Sequence, residues 1–212
     1  MEMCLKFDLR NDFGLKIIFF ALVSTVFLKL LMQNLIENFK IPLGKADVVE
    51  LGRNCADDAF AIQQIIDCSF HHDQQIGFRA AWVLEQVYFN HEASFLPYVE
   101  TFLKRSSSQT NQSALRIFVK ILAGITSKNA SSEIKGVILS YKTDDLVDAV
   151  FGWLIDGKIP VAIKSHCLNI LANLIGKHQW IKEELIQTMD FLVEKESIAF
   201  FAKVKQVRKQ LK

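Results

Sequence analysis

The stretch "CSFHHD" gathers Cys68, His71, His72 and Asp73, with Cys68 and His72 one helical turn apart. Thiolate, imidazole and carboxylate are the groups a tetrahedral zinc ion takes as ligands, and a structural site closes only with four of them. No second matching pair follows in this chain, so the stretch is expected to be a polar turn between helices, with no metal and no cofactor. His91 beside Glu92 and His178 after Lys177 stand at expected helix ends, where the helix dipole favours a cation. The chain contains no glycine-rich phosphate loop, no nucleophile elbow and no paired-carboxylate motif. No catalytic residues are therefore expected.

A different set of residues is ordered by spacing. "FRAAWVLEQV", "LRIFVKILAGI", "IKSHCLNILANLI" and "AKVKQVRKQL" each open with an apolar residue and a base. Those bases, Arg79, Arg116, Lys164 and Lys203, are 37, 48 and 39 residues apart, and the short segment "EIKGVIL" intrudes in the long interval. Repeats of about forty residues built from helix pairs are the signature of HEAT-like arrays, in which no unit buries its apolar face alone.

The elements that must position these bases read as helices throughout. Periodicity predicts them at Gln33–Phe39, Asp47–Arg53, Asp58–Cys68, Gln75–Phe89, Phe95–Arg105, Gln112–Ile125, Glu133–Ser140, Asp145–Ile155, Val161–Lys177, Ile181–Lys195 and Ile198–Leu211. Ser94 and Asp144 are expected caps, and Pro160 stands just ahead of a helix start. Only 3 Pro and 9 Gly punctuate the chain, too few for the turns of a β-protein, and no long period-two alternation occurs. The expected fold class is all-α, a right-handed α-α superhelix of HEAT-like helix pairs.

A helix flanked on both sides in such an array keeps one narrow stripe for water or a partner. On the second members of the pairs the stripes read Gln75, Arg79, Trp82 and Gln86, then Gln112, Arg116, Val119 and Ala123, then Ala199, Lys203, Gln206 and Gln210. In the third unit the polar stripe falls on His166, Asn169, Asn173 and Lys177, which displaces Lys164 from it. Glu85 lies off the stripe, where an ionised carboxylate needs a partner. The candidate partner-binding residues are Arg79, Trp82, Gln86, Arg116, Lys120 and Lys203. The terminal "AKVKQVRKQLK" is expected to be the polar face of an end helix, with anionic docking as the alternative.

"RAAWVLEQV", "VFGWLID" and "WIKEEL" resemble a family of small bacterial HEAT-repeat proteins with no established activity, some of which carry the label adenylosuccinate lyase. The resemblance covers about Met32 to the C-terminus. The lyase reading it implies needs a serine loop of the form S-S-x-M-P-x-K-x-N, and neither "RSSSQTN" nor "NASSEIK" continues into it. More distantly the chain is similar to HEAT-like DNA alkylation repair glycosylases, which use a basic inner surface with aromatic and acidic residues. Trp82, Trp153 and Trp180 with Arg79, Arg116, Lys120 and Lys203 could serve that role. A formal charge of +2 argues against tight duplex binding, which depends on many phosphate contacts.

Residues 1–31 read as an apolar extension ahead of a start at Met32, and 32–212 as one repeat domain. The run "IIFFALVSTVFL" is short of the roughly 20 apolar residues that a spanning helix needs. A membrane association is expected only if that run is a true anchor. Cys4, Cys55, Cys68 and Cys167 lie far apart and read as core hydrophobes of a reducing compartment, here the cytoplasm. The expected function is a non-enzymatic scaffold or adaptor that binds an unidentified protein partner through the inner stripe, with nucleic-acid binding as the alternative.

Overall fold

The computed structural model describes residues 35–58 and 60–211, and the expectations for residues 1–31 and for Cys4 lie outside them. The chain divides into two compact units, Met1–Ile41 and Pro42–Lys212. In the first, residues 35–40 are helical (α1). The second carries α2 (Lys45–Ala56), α3 (Ala61–Cys68), α4 (Gln74–Asn90), α5 (Glu92–Phe95), a 3-10 turn (Leu96–Tyr98), α6 (Val99–Ser106) and α7 (Gln112–Ile125). It continues with α8 (Ser132–Ser140), α9 (Asp144–Ile155), α10 (Val161–Leu174), α11 (Ile181–Val193) and α12 (Ile198–Gln210). No strand occurs among the described residues.

The second members of the predicted pairs form one row. In the second unit α2 packs on α4, α4 on α7, α7 on α10 and α10 on α12. A second layer lies against that row, with α3 on α4, α9 on α10, and α11 on α10 and α12. α8 is the intruding helix, and it packs on α6 and α7. This two-layer succession of helix pairs is a HEAT-like α-solenoid.

Aromatic rings run through the core of the first pairs. Tyr88 meets Phe95 at 5.3 Å between centroids, Phe95 meets Phe102 at 5.6 Å, Phe102 meets Phe118 at 4.7 Å, and Phe118 meets Phe70 at 5.5 Å. Edge-to-face and tilted contacts at these separations add to area burial. The row is close enough at Tyr88 to require a glycine opposite. A Cβ on Gly124 would lie 2.7 Å from the Tyr88 ring.

Polar side chains tie the turns of adjacent pairs together. Asp73 caps α4 by accepting from the amides of Gln75 and Ile76, and Asn111 caps α7 by accepting from Ser113 and Ala114. Asn111 Nδ2 donates to Gln74 O at 2.8 Å, and Gln109 Nε2 donates to Ser69 O at 3.0 Å. Both bonds cross from one inter-helix turn to the next.

Several sequence expectations are corrected. Phe95–Arg105 is not one helix, because Pro97 interrupts it with the 3-10 turn before α6 begins. Ser94 lies inside α5 and does not cap it. Thr143, not Asp144, occupies the cap position of α9, and its hydroxyl is engaged with His178 Nε2 at 2.6 Å instead of the helix amides. α3 starts at Ala61, since Asp58 accepts from the Phe60 amide in the preceding turn. α10 stops at Leu174, whose carbonyl accepts from the amides of Lys177 and His178 in the turn beyond.

Candidate functional site

The "CSFHHD" residues have structural uses. Asp73 is the α4 cap, and the backbone amides of Gln75 and Ile76 hold its carboxyl below the usual range. His71 Nδ1 accepts from the Asp73 amide at 3.0 Å. Cys68 is buried, and burial pushes its thiol up to about 12, so it stays protonated at neutral pH. Cys55 and Cys167 are buried likewise, with thiols pushed up to about 11 and about 12 by desolvation. All three are free thiols packed in the core.

The ordered bases divide into two kinds. Lys164 is 1% exposed and its ammonium pairs with the carboxylate of Glu196, in the connection between α11 and α12. It belongs to the packing, as its displacement from the polar stripe implies. Arg116 and Lys120 on α7 are exposed, and Lys203 on α12 is half-buried. Lys120 pairs with Glu85 of α4, which is 8% exposed, and lies 5.2 Å from the Phe89 ring centre. Glu85 therefore finds its partner on the next unit of the array.

His166 of α10 feels the charge of these cations. Burial lowers its pKa from the ordinary 6.5, and the charges of Lys203, Lys120 and Arg116 push in the same direction, opposed by Glu85. Burial also lowers the Lys203 ammonium from its ordinary value. Three of the six candidate residues thus act electrostatically on one half-buried imidazole of the row α7–α10–α12. The described ring contact of Trp82 and the side-chain hydrogen bond of Gln86 lie within α4, while Gln86 Cβ also packs close to Gly52 of α2. Trp82 is half-buried and stacks on Phe78 at 6.0 Å, and Gln86 Oε1 accepts from Asn90 at 2.9 Å. Arg79 is half-buried. Val119 leaves the predicted α7 stripe altogether, being 0% exposed, and the exposed line runs through Gln112, Arg116 and Lys120. Its branched side chain faces the core while a four-residue step continues on the surface.

Beyond Lys203 the same row opens into a groove of about 570 Å³. Asn169 and Asn173 of α10 line it together with Lys203, Gln206 and Gln210 of α12, all members of predicted stripes. Lys128 and Asn129, from the connection after α7, and Lys135, from α8, complete a wall without a carboxylate among the described residues. Arg116, Lys128, Lys135 and Lys203 have no carboxylate within ion-pair distance among the described residues. Lys128 and Lys135 escape the stripe reading because they sit in the segment that breaks the repeat interval. Lys177 leaves the stripe for a different task, donating to the carbonyls of Ile138, Leu139 and Tyr141 at the end of α8.

The other aromatic and basic candidates lie elsewhere. Trp180, 51% exposed, stacks on Phe151 at 6.0 Å, and Trp153 is half-buried on α9. Arg208 of the basic terminal helix pairs with Asp190 of α11. Among the described residues, no helix is long and apolar enough to cross a membrane. Chemically, the groove and the strip beside it can hold negative charge and hydrogen-bond to amides. Among the described residues lining them, no nucleophile is paired with a base.

A search of curated proteins finds no match to the chain. The family model described as the HEAT repeat domain matches residues 35–211. Covering most of the chain and agreeing with the paired, two-layer helices, that match places this protein in the HEAT repeat domain family.

Proposed function

We propose that the protein is a non-enzymatic, cytoplasmic scaffold or adaptor, and that it binds a protein partner through the face shared by α4, α7, α10 and α12. The observation that carries this reading is that Arg116 and Lys203 on that face, with Lys128 and Lys135 beside it, have no carboxylate within ion-pair distance, and that the face ends in a groove without a carboxylate, both among the described residues. Elsewhere the packing is given ionic partners: Arg105 with Asp67, Lys164 with Glu196, and Arg208 with Asp190. The buried free thiols of Cys55, Cys68 and Cys167 fit a reducing compartment. Arg116, Lys120 and Lys203 supply the charge of the binding face, with Arg79, Trp82 and Gln86 extending it along α4. The missing serine-loop sequence leaves the lyase label without a chemical basis.

The same cations favour a second reading, nucleic-acid binding in the manner of the DNA alkylation repair relatives. Duplex affinity falls steeply with salt in proportion to the phosphates contacted, so a salt titration separates the two.

Arg116→Gln combined with Lys203→Gln tests the leading reading. Both side chains reach solvent, so stability is expected to change by less than about 0.5 kcal/mol. Capture of the partner from cytosol is expected to fall by about tenfold or more, equivalent to roughly 1.4 kcal/mol of binding. A variant that keeps its partner, or that unfolds at much lower denaturant, would make the strip idle or structural.

A further inference from the structure

We infer that the groove between α8, α10 and α12 takes an extended acidic peptide segment, so that the partner contributes a run of carboxylates to this end of the array. The inference rests on the protein-binding reading and specifies the chemistry of what is bound.

Charge comes first. Lys128, Lys135 and Lys203 converge on the groove from three separate stretches of chain. The ends of α7, α10 and α12 also reach it, at Thr126, Asn173 and Gln210. A helix C-terminus carries roughly half a negative charge, which fades within one turn. Three such ends offset about half of three ammonium charges, leaving a surplus of about +1.5. The α7 end is further quietened because Thr126 Oγ1 donates to Leu122 O at 2.8 Å. The surplus selects an anion.

The amides select a peptide. Asn169 with Asn173, and Gln206 with Gln210, are pairs spaced by four on two facing helices. Four residues of helix rise about 6 Å. Two residues of extended chain advance about 6.6–6.8 Å. Each amide pair can therefore meet alternate peptide units of one extended strand, donating to a carbonyl and accepting from an N–H. Their described internal bonds leave most of that capacity unused: Asn173 Nδ2 reaches Thr126 Oγ1 at 3.4 Å, and Gln206 Oε1 accepts from Lys203 at 3.0 Å.

A nucleic acid is served less well by this wall. No aromatic side chain lines the groove among the described residues, so bases have no ring on which to stack. No arginine lines it either, and lysine holds an anion as a point charge instead of forking onto a phosphate.

The test uses the full chain with a fluorescein-labelled oligoglutamate peptide, followed by anisotropy at low ionic strength, where exposed charges are least screened. An oligolysine peptide and a short DNA duplex are the comparison probes. Oligoglutamate is expected to bind and oligolysine not to. Lys128→Gln with Lys135→Gln and Lys203→Gln should weaken oligoglutamate binding by about tenfold or more. The double variant without Lys203→Gln keeps the test valid if the triple variant is less stable. NMR titration of His166 gives an independent readout, since a bound polyanion nearby should move its pKa upward. No oligoglutamate binding, or binding unchanged in the variants, would overturn the inference, as would duplex binding that is tighter and steeply salt-dependent. If oligoglutamate fails while partner capture still depends on Arg116 and Lys203, only the peptide chemistry is wrong. If capture is also independent of those two residues, the protein-binding reading falls with it.

Discussion

Phe118→Ala is expected to destabilise the protein by about 3–5 kcal/mol, the range for deleting a fully buried aromatic ring. Phe118 is 0% exposed on α7 and touches both Phe102 and Phe70, so its removal opens a void between two pairs of the array. An array is held by contacts between neighbouring units, and a break at a central unit weakens both halves. Denaturant unfolding followed by circular dichroism should show an earlier and broader transition. A shift worth less than about 1 kcal/mol would mean that neighbouring rings collapse into the space.

Glu196→Gln is the second large effect. The Lys164 side chain is 1% exposed and its described ionic partner, Glu196, is 18% exposed. Removing that carboxylate leaves an ammonium buried without compensation, at a cost of about 3–5 kcal/mol. Combining it with Lys164→Met should recover most of the loss, because an apolar residue of similar length removes the charge that needed a partner. A Glu196→Gln protein as stable as the parent would show that Lys164 reaches water or another acceptor.

The contrast between these two residues shows what could be read from the chain. Apart from α5, the helices were legible because apolar residues recur along them with helical period, and α7 and the start of α10 and α12 fall where periodicity places them. Pairing was legible from the spacing of Arg79, Arg116, Lys164 and Lys203, although one of the four proved to be a core residue. The separation of Lys164 from its stripe was visible in the sequence, but Glu196 as its partner was not. Ion pairs such as Lys120 with Glu85 and Arg105 with Asp67 join residues from different pairs, and single-chain periodicity carries no register between helices. The groove was half legible. Asn169, Asn173, Gln206 and Gln210 follow from helical spacing, whereas Lys128 and Lys135 come from the segment that interrupts the repeat.

Site-specific photo-crosslinking tests the central claim most directly. A benzophenone side chain at position 116 reports from the cationic strip on α7, and one at position 182 reports from the exposed side of α11 in the other layer. In cytosol, the strip position is expected to give a discrete protein adduct that excess oligoglutamate suppresses, and position 182 none. Adducts from position 182 with none from position 116 would place the binding surface on the opposite layer and contradict the account.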